Sequence, residues 1–377
     1  MALAAASNGP VPIIALPNET LSAIFLHFTA PTLATIARVS HRFKAVAERL
    51  LYSSVYVSDN LSESSSLPWK TLRWCESMRQ RSHLIEATKK LQIRWQADLR
   101  SSLSQSLNPA CAQVADVLRL LIFLESLEIF LGPANLVRPP DEPIHAVERV
   151  IRGAHLPLLR HCSLGAEWTK GVQPYTTVLA SFLASAHELR HLKLPDHLAG
   201  LDLPPGALPC LSSFRGSADT AAILLPGRPV QALSLVGQDS DVNRQNLPRM
   251  TLTSVPLRYL DLSAMSVRPL LLRNISTHFP TLQKLRVKLA LRHTLHYAFS
   301  GIRLLAGLSA VLSAFQQLEL IDLSPTDVDG IGRADAKEEY VLVGEWSRIC
   351  PSLRCVIFPS GTEWICQENG EWLSALH

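Results

Sequence analysis

Two hydrophobic rhythms divide the chain. Between Leu16 and Tyr52 apolar positions recur at helical spacing, and beyond residue 120 short fragments of the form L-x-x-L-x-L recur with the two-residue alternation of strands. In the first stretch Pro17 and Glu19 open a helix in which Leu21, Ile24, Phe25 and Phe28 make one apolar face, with the acidic residue in the first turn. Pro31 suits the start of a second helix with Leu33, Ile36 and Ala37 as its stripe. Ser40 then offers a side-chain cap to a third helix carrying Phe43, Val46, Ala47, Leu50 and Leu51.

A unit of about 40 residues has too little interior to be stable alone, so its apolar faces need the rest of the chain or another protein. Two readings satisfy this pattern equally. The three helices dock a partner, or they cap the N-terminal end of a larger fold.

The second rhythm is a repeat. Copies are Leu124-Leu127-Ile129, Leu159-Cys162-Leu164, Leu189-Leu192-Leu194, Val230-Leu233-Leu235, Leu257-Leu260-Leu262, Leu282-Leu285-Val287, Leu318-Ile321-Leu323 and Leu353-Val356-Phe358, with Leu211-Phe214 a degenerate copy. Several follow a helical pattern that stops near a proline, as in PLLLRNISTHFPTLQKL, so each unit reads as helix, turn, strand. No unit can bury its own leucines, whereas stacked units form a parallel strand ladder with one continuous core. The expected class is α/β: a short three-helix module followed by an irregular leucine-rich-repeat solenoid, a parallel ladder with its helices on the convex side. An ordinary α/β domain rich in leucine is the alternative.

The first module resembles the F-box. The stretch LPNETLSAIFLHFTAPTLATIARVSHRFKAVAERLLYSSV carries the motif's opening Leu16-Pro17, Glu19, the Ile24 and Phe28 pair, Pro31 and Leu33, the Val39-Ser40 junction, and an aromatic at Phe43. This resemblance implies binding to a Skp-type adaptor through Leu16, Pro17, Leu21, Ile24, Phe28, Leu33, Val39 and Phe43, and through that adaptor to the cullin and RING subunits of a ubiquitin ligase. The segments WKTLRWCESMRQRSHLIEATKKLQIRW and WSRICPSLRCVIFPSGTEWICQENGEWL are similar to those of fungal F-box proteins with divergent leucine-rich repeats. Thr88 stands where that group more often has a branched apolar residue. The expected organisation is a flexible tail over 1–13, the F-box over 14–58, a linker over 59–68, and the solenoid with its C-terminal cap over 69–377.

Composition narrows the function. The chain has 377 residues, 47% of them hydrophobic, enough for a large core, and its formal charge of +4 comes from Lys and Arg scattered along it, which argues against a nucleic-acid partner. Seven cysteines without a C-x-x-C pair suggest reduced thiols instead of a disulfide framework or a cysteine zinc site. The apolar N-terminal stretch has no basic leader, and Asp116, Arg119, Glu125 and Glu128 interrupt the leucine-rich run from Ala115 to Val137, so neither reads as a signal peptide or a membrane span. A cytoplasmic or nuclear address is expected.

One motif argues for chemistry. His187-Glu188-Leu189-Arg190-His191 fits H-E-x-x-H, with His197 where a third zinc ligand would fall. That chemistry needs both histidines one turn apart on a helix, but Leu189, Leu192 and Leu194 belong to a repeat strand, which separates His187 from His191 by about 13 Å at roughly 3.3 Å per residue. Leu194 replaces the glycine of the longer motif and Pro195 stops a helix. His293 and His296 have no third partner in sequence. Catalytic residues, metal and cofactors are therefore expected to be absent, and a zinc hydrolase at this motif is the least favoured of the alternatives.

Residues alternating with the repeat leucines should face the concave side: Glu128, Phe130, Ser163, His191, Lys193, Tyr259, Asp261, Lys284, Arg286, Lys288 and Asp322. Of these Lys193, Tyr259, Asp261, Lys284, Arg286 and Lys288 are the candidate substrate contacts, with the last basic trio suggesting a local preference for acidic partners. The expected function is positional: the substrate-recognition subunit of a Skp-cullin-F-box E3 ligase that places a protein substrate near a charged enzyme. A repeat scaffold with no ligase role is the alternative.

Overall fold

A computed structural model describes residues 13, 16–63, 65–97, 106–135, 144–167, 177–195, 201–290, 305, 307–327 and 336–375. Its N-terminal helices are α1 (Asn18–Phe25), α2 (Ala30–Ile36) and α3 (His41–Ser53). Leu21, Phe25, Leu33, Phe43, Val46 and Ala47 close on one another as a small core separate from the main one. Phe25 and Phe43 meet edge to face with ring centroids 5.5 Å apart. Ser40 Oγ accepts the Phe43 N–H at 3.1 Å and satisfies an otherwise open donor of the first turn of α3. Arg42 donates to the Asn18 side chain and to the Leu16 carbonyl, which ties the entry of α1 to α3.

From α3 the chain passes directly into strand β1 (Ser54–Leu61), so the boundary expected at 58/59 falls inside a strand. Helices α4 (Trp69–Gln80) and α5 (Ser82–Ala87) lead to β2 (Lys90–Ala97). The sheet continues with β3 (Ser126–Phe130), β4 (His161–Gly165), β5 (His191–Leu194), β6 (Ser213–Ser217), β7 (Ala232–Val236), β8 (Tyr259–Val267), β9 (Lys284–Leu289), β10 (Leu320–Asp322) and β11 (Cys355–Ile357). Strands β1 to β11 pair in chain order, all parallel, and β12 (Glu363–Cys366) and β13 (Trp372–Ala375) close the sheet as an antiparallel hairpin. The hairpin is held by Glu339 of the helix Ala336–Ile349, 1% exposed, which accepts from Ser360 Oγ at 2.6 Å and Trp364 Nε1 at 2.9 Å.

The register explains why an irregular repeat period still makes one core. Leu91, Leu127, Cys162, Leu192, Phe214, Leu233, Leu260, Leu285, Ile321 and Val356 stand in a single line across ten strands, each at most 2% exposed. Each such side chain contributes about 1.5 to 3 kcal/mol relative to exposure. The degenerate Leu211-Phe214 copy supplies β6 with full register on both sides. Helices such as Asn108–Leu118, Thr177–Ser185 and Pro269–His278 bury their own leucines and valines in the same core, on one side of the sheet. The fold is therefore an α/β ladder of leucine-rich-repeat type behind a three-helix module, with strand residues between the leucines left on the sheet's other, open face.

The junction between module and ladder is polar and specific. Glu48 of α3 is 8% exposed and accepts from Arg81 Nη1 at 2.9 Å, with His83 Nε2 at 3.1 Å on its other oxygen. Asp59 at the end of β1 accepts from the backbone N–H of Lys70 and Thr71 and from Thr71 Oγ1, at 2.9, 3.1 and 2.7 Å, and so caps α4 from the preceding strand.

Candidate functional site

Two surfaces hold the residues singled out from sequence. On the helical module, the eight adaptor candidates separate by burial. Leu21, Leu33 and Phe43 are interior, at 0%, 6% and 8% exposure, and Leu16 and Ile24 are half-buried. Pro17, Phe28 and Val39 face water, Val39 at 67%. Leu26, outside the carried-over set, is exposed to 68%. Its signal in sequence is its position: it is an apolar residue off the Leu21, Ile24, Phe25, Phe28 stripe that the helix needs for its own packing.

On the open face of the ladder the six substrate candidates occupy β5, β8 and β9. Their surroundings differ sharply. Asp261 is 7% exposed and engaged by Ser234 Oγ at 3.1 Å and the Ser263 N–H at 2.9 Å. Tyr259 is half-buried, and burial, reinforced by the nearby Asp261 carboxylate, raises its phenol pKa. Arg286 pairs with Asp322 at 3.1 Å and Lys288 with Asp327 at 2.6 Å. Two of the three cations behind the expected acidic preference at β9 are thus balanced within the chain, and only Lys284 and Lys193 stand exposed without such a pair among the described residues.

A different basic cluster lies on β4 to β6. The rings of His161 and His191, register partners on β4 and β5, stack with centroids 4.5 Å apart and planes 10° from parallel. Arg160 and Arg190 precede them on the same rungs, where the Arg190 N–H donates to the Arg160 carbonyl at 2.9 Å. Lys193 and Arg215 are register partners on β5 and β6. Burial holds both imidazoles below their ordinary pKa. His191, Lys90, Arg160 and Arg190 press on His161 in the same sense, as Arg190 and Lys193 do on His191. Scatter of Lys and Arg along the sequence becomes concentration here because the ladder stacks residues about 30 apart. The signal was present as the dipeptide Arg-His in two successive copies, Leu159-Arg160-His161 and Leu189-Arg190-His191.

The H-E-x-x-H motif is not helical. His187 and Glu188 lie in the turn after the helix Thr177–Ser185, and His191 begins β5 with its ring against His161. Among the described residues no three His, Cys, Asp or Glu side chains converge as a metal-binding group. His197, His293 and His296 lie outside the described residues. All seven thiols are free; Cys75 and Cys111 are buried, and burial pushes both up to about 12. Among the described residues no helix is long and apolar enough to cross a membrane.

Residues 13–58 match the F-box-like family model. No curated protein matches the chain. Among solved structures the chain is similar to the leucine-rich repeat-containing protein LegL7 from Legionella pneumophila, at 14% identity and a TM-score of 0.40 over 86% of this chain and 89% of that one. It is also similar to a chain of the Rad7 and Elc1 complex in yeast, at 10% identity and a TM-score of 0.33 over 84% of this chain and 89% of that one. The chain joins helices that match an F-box-like family model to the parallel strand ladder described above.

Proposed function

We propose that this chain is the substrate-recognition subunit of a Skp-cullin-F-box E3 ubiquitin ligase, acting in the cytoplasm or nucleus. Its F-box-like helices hold a Skp-type adaptor, through it the cullin and RING subunits, while the open face of the ladder holds a protein substrate. No residue of the chain performs bond chemistry in this reading; it raises the local concentration of substrate lysines near an enzyme supplied by others. The observation that carries it is the match over 13–58 to the F-box-like model, on a module that keeps its own core yet leaves Leu26, Phe28 and Val39 in water. Apolar side chains left in water on a module that has closed its own core are available to a partner.

The test is co-purification of the full chain with a Skp-type adaptor, comparing wild type with a Phe28→Asp, Val39→Asp double substitution. These positions face solvent, so the module stays folded by circular dichroism while the complex is lost. Leu21→Asp is a poor test, because that side chain is fully buried and its substitution unfolds the module. Absence of a complex with the wild type overturns the ligase reading. The helices are then a cap on a binding scaffold, a role to which the Glu48 contacts with Arg81 and His83 are also suited.

A further inference from the structure

We propose that the open face of β2 to β6 is a docking site for an acidic protein segment, one whose side chains carry carboxylate or phosphate, gripped around the His161 and His191 stack. The proposal rests on the reading that this face holds a protein target and is independent of adaptor binding.

Several other cations of the ladder are matched locally: Lys89 with Glu125 at 3.3 Å, Arg268 with Asp239, Arg286 with Asp322 and Lys288 with Asp327. Lys90, Lys193 and Arg215 stand on the open face of β2, β5 and β6, and Arg160 and Arg190 adjoin it immediately before β4 and β5; none of the five has a carboxylate at ion-pair distance among the described residues. The acidic groups on the adjoining β3 are Glu125, engaged by Lys89, and Glu128, so the patch keeps a net positive charge. Five unneutralised cations held together by a rigid sheet repel one another, and an anionic ligand relieves that repulsion.

The geometry sets the shape of the ligand. Four strand spacings separate β2 from β6, a span of about 19 Å at roughly 4.8 Å each. An extended segment of about six residues covers it. Arg160, Arg190 and Arg215 offer planar forks suited to two-point contacts with carboxylate or phosphate oxygens. The stacked imidazoles between them give the ligand backbone a flat floor and two further N–H groups. Nucleic acid would use the same charges, but the rings of β3 to β5 are already engaged: His161 stacks on His191, and the Arg94 guanidinium lies over Phe130.

The test is fluorescence anisotropy with the full-length protein at low salt. Probes are a labelled glutamate-rich peptide, the same peptide bearing phosphoserine, a neutral Ser/Gly peptide of equal length, and a single-stranded oligonucleotide of matched charge. The acidic peptides bind and the neutral one does not. Lys193→Ser with Arg215→Ser weakens binding at least about tenfold, whereas Arg73→Ser with Arg249→Ser, on exposed helix positions, leaves it unchanged. A tighter phosphoserine peptide assigns phosphate as the preferred anion, and equal affinity assigns carboxylate. No binding of either acidic peptide, binding that ignores the Lys193 and Arg215 pair, or tighter binding of the oligonucleotide overturns the proposal. None of these readouts involves the adaptor, so failure here leaves the ligase reading standing, and failure to bind an adaptor leaves this site standing.

Discussion

Glu48 of α3 and Arg81, at the turn between α4 and α5, meet at 2.9 Å across the seam between the helical module and the ladder, with His83 on the second carboxylate oxygen at 3.1 Å. A carboxylate this buried needs those partners, because a buried charge left unpaired is strongly destabilising. Glu48→Ala is expected to destabilise by about 1 to 2 kcal/mol, because Arg81 rehydrates at the surface but the Glu48 hydrogen bonds are lost. Chemical denaturation reads the loss. Faster limited proteolysis between residues 62 and 68 is expected alongside it; unchanged proteolysis would mean the seam holds by apolar packing alone.

Asp59 makes a second prediction. Asp59→Ala strands the Lys70 and Thr71 N–H groups at the start of α4 and removes the acceptor of Thr71 Oγ1, which itself accepts from Trp95 Nε1 at 2.9 Å. The expected cost is about 2 to 4 kcal/mol for loss of a cap plus a buried network. Asp59→Asn, which keeps one acceptor oxygen, should cost clearly less in the same denaturation series.

Gly132 and Gly227 both adopt left-handed backbone, at φ +41° and +74°, but only the first is also crowded. A Cβ at Gly132 would lie 2.3 Å from the Trp95 carbonyl oxygen, while one at Gly227 meets nothing within 4 Å. Gly227→Ala should therefore cost only about 1 kcal/mol for the backbone conformation. Gly132→Ala should cost about 2 kcal/mol or more, since strand β2 must also shift. Thermal unfolding of the two variants side by side checks the ranking.

The stacked histidines predict a pH dependence. Both imidazoles are held below their usual pKa, first by burial and then, for His161, by His191, Lys90, Arg160 and Arg190, and for His191, by Arg190 and Lys193. The unfolded chain takes up these protons from about pH 6.5 downward while the folded chain resists them. Their contribution to stability is complete above that pH and lost as pH falls through the lowered folded values. His161→Gln with His191→Gln should flatten the fall of the thermal midpoint between about pH 7 and about pH 5. An unchanged slope would show that carboxylates, whether Glu125 and Glu128 at the neighbouring β3 or others elsewhere, dominate acid sensitivity.

Much of the architecture was legible along the chain. Leucine positions such as Leu127 and Ile129, or Leu285 and Val287, announce strands because a sheet buried on one face needs alternate apolar residues, and the structure buries each of them to 1% or less. Ser40 announces a helix start because its hydroxyl meets a need local to one turn. The first strand was not legible, since Ser54–Leu61 alternates weakly and follows α3 without a turn residue.

What sequence by itself determined is therefore whatever depends on near neighbours and period: three amphipathic helices, a repeated helix-turn-strand unit, and which side of each strand is apolar. Tertiary structure alone decided which residues from different repeats share a place. It turned Leu21 and Phe43 inward and left Val39 out, balanced Arg286 with Asp322, and brought His161 onto His191 across 30 positions of chain. The physical reason is that charge pairing and ring stacking depend on distance through space, which the register of the ladder sets and the local pattern does not contain.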